Sequence, residues 1–249
     1  PLEVLLFLQR ISPETQLFDK SKNLYGLNWA KQSMRKTGEA IITEGYTDVI
    51  TAANYGINNV VASLGTSLTA QQAKILKRYV DRVYIAYDSD AAGDKATGRG
   101  LDILKEEGLD VKVINLAKDQ DPDDYIKEVG KEKFMKVKNN STSLIQFKID
   151  QVLKDKNLAN VDDRVNVVKE LLPILNSIEN QVERDEYTKK IAEKLQIRIE
   201  LLRSELNKYE KLKPEDRKSS QRNNNNNSTQ NIGFEDSKKS GYQNAVHGL

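Results

Sequence analysis

The chain has 249 residues, with 39 Lys and Arg against 37 Asp and Glu and a formal net charge of +2, enough for one large domain or a medium domain with an appendage. It has no cysteine, which excludes disulfides and thiolate metal sites, and its single histidine, His247, lies near the end of a polar tail, which argues against a histidine-based catalytic triad or zinc site. Any metal must be held by oxygen ligands, which points to magnesium or manganese with no zinc in this chain.

Residues 20–36 carry Lys20, Lys22, Lys31, Arg35 and Lys36 with no acidic residue among them. This reads either as a solvated helix face or as a ridge whose positive field acts on phosphates. From Glu39 short apolar runs alternate with amphipathic ones. The pattern predicts a strand over 40–43 stopped at Glu44-Gly45, a helix through Asp48, Val49 and Ala53 closed by Gly56, and a strand over 59–62. Thr69 reads as the N-cap of a helix to about residue 79. A strand over 83–87 ends at Asp-Ser-Asp (88–90), a helix over 91–107 stops at Gly108, and a fourth strand covers 110–116. Strands joined by single crossover helices predict a parallel sheet covered on both faces.

After Gly130 the pattern turns to helices only. The apolar stripes are Leu144, Ile145 and Ile149; Val165, Leu172 and Leu175 with a kink at Pro173; Val182, Ile191 and Leu195; and Leu202 and Leu206. The run of asparagines at 223–227 lies in a segment with little to bury, which predicts a linker whose deletion leaves the melting temperature unchanged. The expected fold class is α/β, a parallel sheet flanked by helices, followed by a small helical bundle and a disordered tail. The expected segments are 1–38 with the basic ridge, 39–130 the sheet domain, 131–210 the bundle and 211–249 the linker. No run approaches the ~20 apolar residues of a membrane span, and residues 2–8 lack the flanks of a signal peptide. A cytoplasmic protein with no membrane attachment is expected.

Glu44 falls at the carboxyl end of the first strand, Asp88 and Asp90 at the end of the third, and Asp121 and Asp123 shortly after the fourth. Ligands of open parallel sheets bind outside these carboxyl ends. Each acid alone is as well explained as a turn former or helix cap, and Asp94 keeps that explanation. Five at three strand ends are better explained by cations that offset their repulsion. Such a cluster suits two hard divalent ions that activate an attacking hydroxyl and stabilise a leaving pyrophosphate.

The ordered series Glu-Gly-Tyr-Thr-Asp-Val-Ile (44–50), Ala-Ser-Leu-Gly-Thr-Ser (62–67), Tyr-Asp-Ser-Asp-Ala-Ala-Gly (87–93) and Asp-Pro-Asp (121–123) resembles the Toprim signature, and in particular that of the bacterial DnaG-type primases. Ser-Pro-Glu-Thr (12–15) and Leu-Tyr-Gly-Leu (24–27) are similar to that family too, so the resemblance covers about residues 12–210. It implies a nucleotidyltransferase that makes short RNA primers for DNA replication on a single-stranded DNA template from ribonucleoside triphosphates, with Mg2+ or Mn2+. By position it implies Glu44 as metal ligand or general base, Asp48, Asp88, Asp90, Asp121 and Asp123 as metal-site acids, and Lys20 and Lys22 beside the nucleotide or nucleic acid. Gly45 and Gly65 match family turns, where backbone geometry alone explains them as well as ligand contact does.

The stretch before Ser12 departs from the family pattern. The family's zinc-binding domain and the amino-terminal half of its polymerase core are not among these residues. The replicative helicase is therefore expected to bind through a carboxyl-terminal domain outside this chain, and the isolated chain is expected to prime poorly. Two other readings stand beside this one, a Toprim nuclease and a non-catalytic module that binds metal and nucleic acid.

Overall fold

The computed structural model describes residues 19–63, 68–87, 95–116 and 120–212. The expected motif at 12–15, the turn at Gly65, the pair Asp88 and Asp90, Asp94 and the tail lie outside the described residues.

Five strands form one sheet: β1 (Glu39–Thr43), β2 (Val60–Ala62), β3 (Arg82–Ile85), β4 (Asp110–Val113) and β5 (Thr142–Ser143), in the order β2-β1-β3-β4-β5. The first four are parallel, with Ile41 opposite Val60 and Tyr84, and Val83 opposite Val111. The fifth runs antiparallel to β4, so the sheet is mixed by one edge strand. The helices of this part are α1 (Leu27–Thr37), α2 (Tyr46–Asn54), α3 (Ala70–Lys77), α4 (Lys95–Glu106), α5 (Pro122–Asn139), α6 (Leu144–Leu153) and α7 (Val161–Asn176).

Alternation along the strands sorts the core into two layers. Ala40, Ile42, Val83 and Ile85 meet Met34 of α1, Leu76 of α3, Leu104 of α4 and Phe147 of α6. Ile41, Val60 and Tyr84 meet Val49 and Ala52 of α2 and Ile126 and Phe134 of α5. From β1 the chain crosses by α2 to β2 on one face. From β3 it crosses by α4 to β4 on the other, because right-handed crossovers in opposite directions must use opposite faces. The crevice between the carboxyl ends of β1 and β3 is therefore the switch point of the sheet.

The chain divides into two compact units between Gln181 and Val182. Packing continues across the expected boundary at Gly130: β5 joins the sheet, and Phe134, Leu144 and Phe147 belong to its two core layers. What Gly130 marks is a bend inside α5, where φ of 75° and ψ of 173° break the helical path at a residue without a Cβ. Helix α7 runs through Pro173 to Asn176. Of the expected stripe Leu172 and Leu175 are buried, joined by Val167 and Leu171, whereas Val165 is 48% exposed. In the second unit the described part is the remainder of α8 (Gln181–Lys194) and α9 (Ile199–Lys211), cross-linked by Arg184–Glu210 and Arg203–Asp185 pairs. Val182, expected in the core, is 74% exposed, while Ile191, Leu195, Leu202 and Leu206 are buried.

Candidate active site

Strand β1 ends at Thr43 and the next residue is Glu44, half-buried with Oε1 enclosed by protein. Its surroundings tie the carboxyl ends of β1, β2 and β3 together. Burial pushes the phenol of Tyr87, just beyond β3, upward, the charge of Glu44 pushes the same way, and a hydrogen bond with Ser63, just beyond β2, opposes them. Ser63 in turn donates its backbone N–H to Thr43 O at 3.3 Å. Glu44 thus stands in the β1–β3 crevice, one residue before the N-terminus of α2.

Gly45 is the N-cap of α2, and its N–H donates to Asp48 Oδ2 at 3.0 Å. Asp48, 5% exposed, therefore works as the acidic half of a helix cap. A Cβ on Gly45 would lie 3.1 Å from that same oxygen, a tight approach. One turn further along α2, the Thr51 hydroxyl donates to Asp123 Oδ1. Lys127 donates to Asp123 Oδ2 at 2.6 Å. Burial pushes the Asp123 carboxyl up, but the bonds from Lys127 and Thr51 outweigh it and hold it below the usual carboxylate range.

Asp121 is the N-cap of α5, accepting from Asp124 N–H at 2.7 Å, with Pro122 in the first turn. One carboxylate oxygen each from Asp121, Asp123 and Asp124 lie within 4.8 Å of one another. Three converging carboxylates at the positive end of a helix fit a divalent cation, since hard oxygen donors suit such ions. Asp124 was absent from the sequence expectation. As a third acid directly after Asp-Pro-Asp it reads as an ordinary first-turn residue, and only the folded turn brings it to the other two.

The basic ridge is distributed along the sheet. Lys20 and Lys22 lie in a 3-10 turn (Lys20–Lys22), three residues before Tyr25 bridges Ala62 at the carboxyl end of β2. Arg35 and Lys36 occupy the last turn of α1, at the opposite, amino edge, where Arg35 stacks on Tyr79 at 4.9 Å. Lys22 is committed to an ion pair with Asp19 at 2.8 Å, whereas no ion pair engages Lys20 among the described residues.

Residues 41–126 match a family described as Toprim-like. With a parallel-dominant sheet, a switch-point glutamate and an acidic helix N-terminus, this part of the chain is a Toprim domain. A second family, described as the DnaB-helicase binding domain of primase, matches residues 145–200. The chain is 47% identical to the DNA primase of Clostridium acetobutylicum over 188 residues, which cover 75% of this chain and 31% of that protein. It is similar to the solved Aquifex aeolicus primase (zinc-binding and RNA polymerase domains), with 34% identity, a TM-score of 0.59, and coverage of 77% of this chain and 45% of the other. A DnaG primase catalytic domain bound to ssDNA gives 31% identity and a TM-score of 0.61, covering 73% and 60%. The chain belongs to the bacterial DnaG-type DNA primases, and it spans about a third of the length of the curated relatives it matches. The segment matched by that second family lies within this chain. Among the described residues no helix is long and apolar enough to cross a membrane.

Proposed function

We propose that this chain carries the phosphoryl-transfer site of a primase: template-directed joining of ribonucleoside triphosphates into short RNA primers on single-stranded DNA. The observation that carries the reading is Glu44 in the β1–β3 crevice, with the acidic turn of α5 moored to α2, one turn beyond Asp48, by Thr51. Bound Mg2+ or Mn2+ supplies Lewis acidity for the attacking hydroxyl and for the departing pyrophosphate.

In this reading Glu44 accepts the proton of the 3′-hydroxyl, or ligates the cation, as that oxygen bonds to the α-phosphate and the bond to pyrophosphate breaks. Asp121, Asp123 and Asp124 are ligands on the α5 side, and Asp88 and Asp90, outside the described residues, are assigned to the β3 side by sequence position. Asp48 acts by fixing the Glu44-Gly45 turn, and Lys127 holds Asp123 ionised. Lys20 meets a phosphate. Residues 145–200 are the proposed contact for a DnaB-type helicase.

The test is Glu44→Gln in a primase of full family length carrying this segment. Primer synthesis falls at least ~100-fold while the fold is retained. Unimpaired synthesis by the well-folded variant contradicts the assignment.

A further inference from the structure

Gln72 is fully buried, and every polar atom of its side chain is used. It lies at the third position of α3, and its Oε1 accepts the N–H of Thr69, the N-cap, at 3.0 Å while Thr69 Oγ1 accepts Gln72 N–H at 3.2 Å. That reciprocal pair alone would complete a capping box. Yet the two side chains reach further. Gln72 Nε2 donates to Lys20 O at 3.0 Å and to Asn23 O at 2.8 Å, and the Thr69 hydroxyl donates to Ser21 O at 2.6 Å. Three carbonyls of one four-residue turn, some 50 positions earlier in the chain, are thus gripped by one helix cap.

The other side of the turn is fixed as tightly. Asp19 Oδ1 accepts from Ser21 N–H at 2.9 Å and from the Ser21 hydroxyl at 2.6 Å, Asp19 Oδ2 pairs with Lys22, and Asp19 O accepts from Asn23 Nδ2 at 2.8 Å. Within this frame Lys22 is paired with Asp19, while no ion pair among the described residues engages Lys20. A buried amide that satisfies a helix cap needs only its acceptor oxygen for that purpose. Aiming both amide hydrogens at the backbone of a lysine-bearing turn adds register to the turn, and register is what a point charge needs to meet a phosphate.

We propose that Gln72, with Thr69, is a positioning residue that fixes the Lys20 turn against the N-terminus of α3, so that the Lys20 ammonium meets a phosphate of the bound nucleotide or nucleic acid. This rests on the reading of Lys20 as a phosphate contact. Gln72 makes no contact with the ligand in this arrangement and acts only through Lys20.

The experiment uses the full 249-residue chain and two probes, a fluorescein-labelled oligodeoxythymidylate and ATP with Mn2+, at low salt. Lys20→Ala is expected to weaken at least one probe about 5- to 10-fold, and on the oligonucleotide to lower the salt slope by about 0.7. The affected probe identifies the phosphate as that of a strand or of a triphosphate. Gln72→Met, which keeps the volume and removes the amide, is expected to weaken the same probe by a similar factor, and to add nothing in a Lys20→Ala background. A purely structural role predicts additive losses in the double variant, and that result overturns the proposal, as does unchanged binding by Gln72→Met where Lys20→Ala weakens it. Unchanged binding of both probes by Lys20→Ala instead overturns the reading of Lys20. Should Gln72→Met fail to melt cooperatively, Thr69→Val replaces it with the same expectation, and Thr69→Ser, which keeps the hydroxyl, restores binding.

Discussion

The two ends of β1 hold the same kind of residue in opposite circumstances. At the amino edge Glu39 is surrounded by partners: Lys138 donates to Oε2, the Tyr84 hydroxyl donates to Oε1 at 3.1 Å, and Arg82 lies 3.7 Å away while donating to Asp110 at 2.6 Å. Lys138, only 4% exposed, also sits 4.0 Å over the Tyr84 ring. Two acids, Glu39 and Asp110, are met by Lys138, Arg82 and, at 4.0 Å, Lys112. At the carboxyl edge Glu44 precedes a helix N-terminus, and the cluster of Asp121, Asp123 and Asp124 has Lys127 as its one ion-pair partner among the described residues. A saturated network of charges rigidifies the fold, whereas a cluster short of positive charge is stabilised by cations from outside.

The same substitution at both ends of the strand sharpens the contrast. Glu39→Gln leaves the Lys138 ammonium buried without its counter-charge and is expected to cost about 3 kcal/mol in urea unfolding. Glu44→Gln is expected to leave stability unchanged or raise it, because it removes one of several like charges. Equal losses at both ends would erase the distinction between the edges. Lys138→Met, which replaces a buried charge by an apolar chain of similar length, is expected to cost less than Glu39→Gln does.

A smaller effect concerns the bond that joins α2 to the acidic turn. Thr51→Val keeps the shape but removes the donor to Asp123, and about 1.5 kcal/mol of stability is expected to be lost. Added Mn2+ recovers part of the loss if the carboxylate it frees serves as a ligand, which thermal melts with and without the metal will show. Recovery by Zn2+ alone contradicts an oxygen-ligand site.

The smallest effect is a titration. Hydrogen bonds from Lys22 and then Ser21 hold the Asp19 carboxyl at about 2, against an ordinary value of about 3.9. Its contribution to stability is therefore complete above pH ~4 and is lost as the pH falls toward 2. Carbon NMR of the Asp19 carboxyl is expected to give a midpoint near 2, and one near 4 would mean that the pair with Lys22 does not persist in solution.

The sheet was legible because its strands are short apolar runs broken by Glu44-Gly45, Gly56 and Gly108, and the strand ends carry the acids. Less legible was whatever depends on residues far apart in sequence. Strand β5 has two residues and no apolar signature of its own, so its pairing with β4 comes only from the fold. Glu39 and Lys138 are 99 positions apart and read separately as surface charges. Asp48 carried a metal-site expectation, and the structure gives it a cap to hold, a role that its position three residues after Gly45 already encoded. Gln72 is an ordinary capping-box residue in sequence, and its grip on the Lys20 turn appears only when α3 and that turn meet.

The most direct test of the carboxyl edge as a cation site is isothermal calorimetry of this chain with Mg2+, Mn2+ and Zn2+. The account predicts Mg2+ or Mn2+ binding that is weakened by Asp121→Asn/Asp123→Asn and abolished by Asp88→Asn/Asp90→Asn, with each neutralised protein still folding cooperatively and Asp88→Asn/Asp90→Asn no less thermostable without metal. Binding that is indifferent to all four substitutions, or selective for Zn2+, would contradict it.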